Sequence, residues 1–257
     1  MLIETDIFGV TRDKVQMAFE RIKTFEPPEG YYVAFSGGKD SVVILDLVKR
    51  SGVKFDAHYN ITGIDPPELY YFIRDQHPEV QRHRPEMTMW ALIVKKRMPP
   101  TRRVRYCCEY LKERGGTGRK VITGIRWAES TRRGQRRMTE HCFKDGTKTY
   151  LHPIIDWIDS DVWDYIHTNN LPYCSLYDEG FVRLGCIMCP ISSRSQKEEA
   201  ARWPRYKDKF LKAFDACLEK RRADGLKTSW EKPEQMMAWW LDNAEHREDP
   251  DQTVLFE

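Results

Sequence analysis

A short apolar run, Tyr31-Tyr32-Val33-Ala34-Phe35, breaks into Ser36-Gly37-Gly38-Lys39-Asp40-Ser41 and passes at once into apolar residues at helical spacing, Val42, Val43, Leu45, Leu47 and Val48. A second apolar run, Phe55-Asp56-Ala57-His58-Tyr59-Asn60-Ile61, follows Gly52 closely. Strand, glycine loop, helix and strand make a βαβ unit. Its parallel strands require a right-handed crossover and leave a ligand crevice outside their carboxyl ends. The fold class that follows is α/β, a doubly wound and mostly parallel sheet.

The remaining pattern extends that unit. Lys14 to Phe25 reads as a first helix, and Pro67 to Gln76 as another with Leu69, Phe72 and Ile73 on one face. Lys120 to Gly124 is a strand running into a loop, and Asp159 is placed to cap a helix carrying Val162, Trp163, Tyr165 and Ile166. After Pro190 the chain turns polar and helical, at Ser195 to Ala201, Lys207 to Ala223 and Pro233 to Ala244. The expected organisation is one catalytic domain over residues 1–190 and a C-terminal helical extension over 191–257.

With 40% hydrophobic and 32% charged residues, the chain can fill a core beneath a charged surface. No stretch approaches the roughly 18 apolar residues of a membrane span, and no signal pattern opens the chain, so a cytoplasmic protein is expected. A net charge of +3 hides an uneven distribution. Basic residues crowd between Arg82 and Arg137, whereas the last dozen residues are acidic. Such a cluster suits a nucleotide's phosphates or a nucleic-acid backbone, and equally a solvated face.

The glycine loop sits where an anion site forms. Glycines let backbone N–H groups approach a phosphate, and the helix N-terminus adds its dipole. Ser36 and Ser41 supply hydroxyls, and Lys39 supplies a point charge. The spacing is not that of a Walker loop, which needs Gly-x4-Gly-Lys-Ser/Thr. It resembles the PP-loop signature Ser-Gly-Gly-x-Asp-Ser of the N-type ATP pyrophosphatases, with the adenine nucleotide alpha-hydrolase-like fold. That resemblance implies ATP as ligand, with Ser36, Gly37, Gly38, Lys39 and Ser41 on phosphate and Asp40 helping to hold Mg²⁺.

Four of the seven cysteines form two pairs, Cys107-Cys108 and Cys186-Ile187-Met188-Cys189. Thiolates so spaced can converge on one zinc ion or one iron–sulfur cluster, and adjacent cysteines are awkward for tetrahedral zinc. Cys142, Cys174 and Cys217 lack a partner at ligand spacing. From about residue 30 to 190 the sequence is similar to the adenylyl-sulfate and phosphoadenylyl-sulfate (PAPS) reductase family. The similarity rests on Thr62-Gly63 through Pro67-Glu68, Cys107-Cys108 through Leu111-Lys112, Gly124-Ile125-Arg126 through Glu129-Ser130 and Arg132, and Gly180-Phe181 through Cys189. It implies a [4Fe–4S] cluster on Cys107, Cys108, Cys186 and Cys189, with Zn²⁺ the alternative.

Two departures follow. The reductases' C-terminal Glu-Cys-Gly with a nearby histidine has no counterpart after Cys189, where Cys217 stands in a helical pattern. The phosphate loop, degenerate in those reductases, is complete here. Both point to ATP and to the branch that includes the ATPase of bacterial DNA phosphorothioation. The implied chemistry is adenylation of an oxygen followed by displacement of AMP by sulfur. Lys39 and Asp40 act there with Arg126 and Arg132; Lys112 adds charge, Gly124 approaches the nucleotide, and Glu129 orients the arginines or the ribose. Expected partners are a nucleotide, a nucleic acid (DNA or tRNA) along residues 82–137, a sulfur donor such as a cysteine desulfurase, and a second copy in a homodimer. A true PAPS or adenylyl-sulfate reductase, and a non-catalytic nucleotide-binding module, are the rival readings.

Overall fold

The computed structural model describes residues 2–5, 9, 11–191 and 196–245. The chain forms two compact units that interleave along the sequence: Met1–Ile61, Pro67–Arg84 and Arg114–Gly185 in the first, Thr62–Pro66, Pro85–Glu113 and Cys186–Glu257 in the second. Both cysteine pairs thus fall with the helices after residue 190, and the glycine loop falls with the sheet. The acidic last dozen residues, and Ser195 of an expected helix, lie outside the described residues.

In chain order, strands β1 (Ile3–Thr5) and β2 (Thr11–Asp13) pair antiparallel. Helix α1 (Lys14–Thr24) starts where the Asp13 carboxylate accepts the N–H groups of Val15 and Gln16 at 2.9 and 3.3 Å, which fills orphan donors of the first turn. Strand β3 (Tyr31–Ala34) leads through the glycine loop into α2 (Lys39–Ser51). That helix buries Val42, Val43, Ile44, Leu45, Leu47 and Val48, and stops at Gly52 with φ 72°, the left-handed C-cap that glycine adopts without a Cβ clash.

Strand β4 (Phe55–Asn60) runs parallel to β3, with Tyr31 opposite Phe55 and Ala34 opposite His58. Helix α3 (Pro67–Gln76) and strand β5 (Gln81–His83) continue the winding. The chain then forms α4 (Met89–Lys96) and α5 (Tyr106–Leu111) of the second unit before returning as β6 (Lys120–Ile122). Strands β7 (Thr139–His141) and β8 (Thr149–Leu151), then α6 (Asp159–Thr168), complete the first unit. Helices α7 (Gln196–Arg202), α8 (Pro204–Ala223) and α9 (Pro233–Glu245) follow in the second.

The large sheet has the order β5-β4-β3-β6-β8-β7, parallel throughout except for β7 at its edge. Strand order reverses at β3, where β4 and β5 lie on one side and β6 on the other. The loops leaving the carboxyl ends of β3 and β6 therefore diverge and open a crevice. In the second unit, Trp240 and Phe210 pack with ring centroids 4.9 Å apart and Phe214 lies edge-on to Trp240 at 5.5 Å. The Trp240 indole N–H donates to the Pro100 carbonyl at 2.6 Å, so this buried polar atom keeps a partner. No helix among the described residues is long and apolar enough to cross a membrane.

Candidate active site and thiol cluster

The two loops at the switch point carry the residues singled out in the sequence. From β3 come Ser36, Gly37, Gly38, Lys39, Asp40 and Ser41; from β6 come Gly124, Arg126 and Glu129. Gly37 has φ 74°, and a Cβ there would stand 2.7 Å from a Leu69 methyl, so only glycine lets the loop lie on α3. At Gly124 a Cβ would come 2.8 Å from the Asp40 Cβ and 2.9 Å from its backbone. The second loop is pressed against the first turn of α2, and a hydrogen side chain is what allows it.

Ser41 ties the loop shut from inside. Its hydroxyl donates to the Gly38 carbonyl at 2.8 Å and accepts the Ser36 N–H at 3.2 Å. Lys39 is 5% exposed. Its ammonium donates to the Val182 carbonyl at 3.1 Å and pairs with Asp159 at 3.2 Å, while its backbone N–H donates to the Tyr177 hydroxyl at 2.9 Å. Arg126, 3% exposed, donates from Nε to Asp40 at 2.6 Å and from Nη2 to Asp159 at 3.0 Å. Its own N–H goes to Glu129 at 3.0 Å.

Arg132 caps the short turn Arg133–Gln135 and is exposed. Its neighbour Arg133 is the one paired with Glu129. Burial and then the charges of Arg183, Arg136 and Arg126 pull the Arg133 guanidinium down to about 10, with Asp40 opposing them. A guanidinium destabilised by other cations gains from any anion brought among them.

Three participants were not picked out as site residues from sequence. Arg133 stood inside a basic run that gave no reason to prefer it over Arg132. Tyr177 carries no sequence signal for its position at the loop. Asp159 was read as a helix cap, and the structure turns its carboxylate to Arg126 and Lys39 instead, because two cations bind it more strongly than backbone amides do. Asp161 takes the capping role, accepting the Ile158 N–H at 2.9 Å.

The cysteines assemble in the second unit. Cys107 and Cys108 sit on α5, and Cys186 and Cys189 bracket Ile187 and Met188, which are buried. Met188 has φ 56°; its N–H donates to Glu199 at 2.5 Å and its carbonyl accepts from Gln196 at 2.8 Å, fixing the turn between the two sulfurs. The Ile187 N–H donates to the Ile64 carbonyl at 2.7 Å. The Cys186 thiol lies 3.8 Å from the Thr62 hydroxyl and 3.9 Å from the Asp65 carboxylate.

These thiols feel one another. A hydrogen bond from Cys107, helped by Arg105 at 3.6 Å, holds Cys108 down at about 5, and that bond keeps the Cys107 proton in place. Burial pushes Cys186 up to about 12. Lys112, exposed as a whole residue, has its ammonium in the field of Cys186, Asp65 and Cys189, which raises its pKa. Cys174 and Cys217 are buried singly.

A mononuclear ion needs its donors to converge, at about 2.3 Å for zinc and sulfur. Among the described residues no three His, Cys, Asp or Glu side chains are placed to hold a metal ion. A cubane instead takes one thiolate on each iron, so its donors surround a shared volume and need not meet at a point. Cys107, Cys108, Cys186 and Cys189 all fall in the second unit and together offer four sulfur donors, the number a cubane takes.

A family model described as the phosphoadenosine phosphosulfate reductase domain matches residues 30–192. Among curated proteins, an adenosine 5'-phosphosulfate reductase of Geobacillus kaustophilus is 30% identical over 190 residues, covering 66% of this chain and 77% of the relative. An uncharacterized protein of Methanocaldococcus jannaschii is 29% identical over 225 residues, 80% of this chain, which spans only 45% of that relative's length. The crystal structure of a phosphoadenylyl-sulfate reductase from Candida auris, in a phosphate complex, matches with a TM-score of 0.52 at 19% identity over 66% of this chain and 87% of that one. This last match is a likeness of fold.

Proposed function

The chain belongs to the phosphoadenosine phosphosulfate reductase family, with the adenine nucleotide alpha-hydrolase-like fold of the PP-loop superfamily, and on that premise we propose that it cleaves ATP to AMP and pyrophosphate while adenylating an acceptor for sulfur transfer. The observation that carries this reading is the convergence of a complete Ser-Gly-Gly-Lys-Asp-Ser loop with Lys39, Arg126 and Arg133 at the point where strand order reverses. A sulfate end carries no pyrophosphate to hold. A triphosphate does, and it brings negative charge to guanidinium groups that crowd one another.

In this reading an acceptor oxygen bonds to the α-phosphorus, the bond to the bridging oxygen breaks, and pyrophosphate leaves with that oxygen. Backbone amides of Gly37 to Lys39, the Ser36 hydroxyl and the Lys39 ammonium hold the departing group, and Arg126 and Arg133 offset its growing charge. Arg132 remains a candidate for further charge, whereas Lys112, whose ammonium lies in the field of Cys186, Asp65 and Cys189, belongs with the thiols of the second unit. Sulfur then displaces AMP from the activated acceptor, which we take to be a nucleic acid or nucleotide. The basic stretch from Arg82 to Arg137 belongs partly to each unit, and its exposed Arg102, Arg103 and Arg137 are available to a polyanion.

Asp40, whose carboxylate shares Arg126 with Asp159, is the oxygen donor that would hold Mg²⁺, an ion that neutralises bridging phosphates. Cys107, Cys108, Cys186 and Cys189 would hold a [4Fe–4S] cluster, whose role with four protein thiolates would be structural or electrostatic; with one of those ligands lost, an open iron could carry sulfide.

A sulfonucleotide reductase is the second reading, favoured by the names of the curated relatives. Cys217, the last cysteine in the sequence, is 0% exposed on α8 and cannot serve as its nucleophile there. Radiolabelled ATP separates the two. Release of pyrophosphate and AMP supports ATP cleavage, and sulfite formed from adenylyl sulfate without ATP turnover replaces it with reduction.

A further inference from the structure

The first turn of a helix leaves backbone N–H groups without intrahelical partners, which is why an anion binds there. In α2 the Lys39 N–H already has an acceptor, the Tyr177 hydroxyl at 2.9 Å. The same oxygen stands 3.5 Å from where a Cβ on Gly38 would be, so it lies directly over the glycine turn. The Tyr177 ring also covers the Lys39 ammonium, 5.6 Å from its centroid.

The ammonium is occupied as well. Oδ1 of Asp159 lies 3.2 Å from Lys39 Nζ and 3.0 Å from Arg126 Nη2. One carboxylate oxygen thus faces both cations that a phosphate oxygen would face. Lys39 Nζ also donates to the Val182 carbonyl at 3.1 Å and lies 6.0 Å from the centroid of the Trp163 ring.

Tyr177 is held on a short, anchored segment. It ends the turn Ser175–Tyr177, whose Leu176 is fully buried, and the Gly180 N–H donates back to the Tyr177 carbonyl at 3.1 Å. Gly180 has φ 93°, a backbone conformation in which an L side chain is strained. The phenol is a neutral acceptor on the Lys39 amide, so a phosphate oxygen that replaces it keeps the hydrogen bond and adds charge.

We propose that Tyr177 and Asp159 form a latch that imitates a bound anion on the Ser36–Ser41 loop, and that a phosphate ligand binds by displacing the Tyr177 hydroxyl from the Lys39 amide. The inference rests on the reading of that loop as a phosphate site. Every phosphate ligand then binds with an apparent affinity lowered by the fraction of molecules that are unlatched. Loss of the phenol oxygen leaves the Lys39 N–H unpaired until a ligand arrives, so removing it tightens binding. A purely structural role for Tyr177 predicts the reverse.

The test is calorimetric titration of the wild type, Tyr177→Phe and Lys39→Ala with inorganic pyrophosphate, with ATP and magnesium, and with adenosine. From the usual net worth of one hydrogen bond, Tyr177→Phe binds pyrophosphate and ATP more tightly by about five-fold, the same factor for both, with adenosine unchanged. Tyr177→Phe binding no tighter than the wild type, while Lys39→Ala still weakens binding, overturns the latch and leaves the phosphate site standing. Absence of pyrophosphate and ATP binding in all three proteins overturns both. Asp159→Asn, which leaves Tyr177 in place, gives an independent measurement: tighter pyrophosphate binding with a steeper salt dependence supports the latch, and unchanged or weaker binding contradicts it.

Discussion

Arg126 donates its Nε–H to Asp40 at 2.6 Å, joining two loops that are 86 residues apart in the chain. The guanidinium is almost wholly buried and serves Asp159 with another nitrogen. Structure and charge compensation therefore meet in one side chain. Arg126→Ala takes the ion-pair partner from Asp40 and leaves Asp159 with Lys39 alone, costing about 2–4 kcal/mol of stability, below the full figure for a buried pair because Asp159 is more than half exposed. Urea denaturation reads that loss. Lys39→Ala keeps the Arg126 pairs and costs less stability, yet pyrophosphate release falls by about a hundred-fold or more, the usual effect of losing one preorganised charge on a departing anion. Equal losses of stability and activity in both variants would count against separate roles.

Gly124 is fixed by contact and not by backbone conformation. The atoms a Cβ would meet are the Asp40 Cβ at 2.8 Å and backbone at 2.9 Å, none of them the free end of a flexible side chain. Gly124→Ala must push the β6 loop away from α2, costing about 1–3 kcal/mol and displacing Arg126 from Asp40. Gly134→Ala is the control, since its nearest neighbour is the Trp127 carbonyl at 3.8 Å. Thermal melts that fall for Gly124→Ala and hold for Gly134→Ala agree with this contact; matching melts do not.

The thiols of the second unit give a prediction with a chemical readout. Protein purified without oxygen should carry iron and inorganic sulfide, with brown absorbance that Cys186→Ser removes and Cys217→Ala retains. Cys186 lies beside Thr62 and Asp65 and interacts with Cys189 and Cys107, whereas Cys217 is buried alone on α8. Colourless protein containing one zinc per chain would reassign the four sulfurs.

Much of the first unit was legible because its signals are local. The apolar runs at Tyr31 and Phe55, with glycines between them, gave β3, β4 and the helix that joins them, and Pro67 marked the start of α3. The three-residue strands β5, β7 and β8 gave no such signal; they are too short to show alternation and are defined by their neighbours. Ser36 to Ser41 stood out from their place between strand and helix, and Gly124, Arg126 and Glu129 from the family resemblance; the structure brings these residues into contact. Asp159 and Tyr177 did not stand out as site residues, because their roles depend on a contact across more than a hundred residues that no local pattern records. The division of the chain escaped for a similar reason. Residues 85–113 leave the sheet between β5 and β6 to join the helices after residue 186, and nothing in their composition marks a boundary.

His77 carries the last prediction. It is 6% exposed, neither ring nitrogen has a partner at hydrogen-bond distance although Nδ1 lies 3.7 Å from the Glu79 carboxylate, and it borders a cavity of about 190 Å³ lined by Val42, Leu45 and Leu171 among others. Burial lowers its pKa, although Glu79 opposes the shift; His152, fully buried, is lowered for the same first cause. When these imidazoles resist protonation in the folded state, the unfolded chain binds more protons below about pH 6.5, so stability is full above that pH and declines as pH falls toward the depressed folded values. Carboxylates such as Asp56 and Glu79, also lowered, extend the decline at more acidic pH. His77→Phe places an apolar ring where Phe35 and Phe72 already pack, at 4.8 and 5.2 Å from the imidazole, and removes both ring nitrogens. The variant should be more stable than the wild type at pH 5.5 and nearly equal to it at pH 8, with a smaller slope between pH 5 and 6.5 in urea titrations. A slope unchanged by the substitution would place the histidine contribution elsewhere, at His152 first.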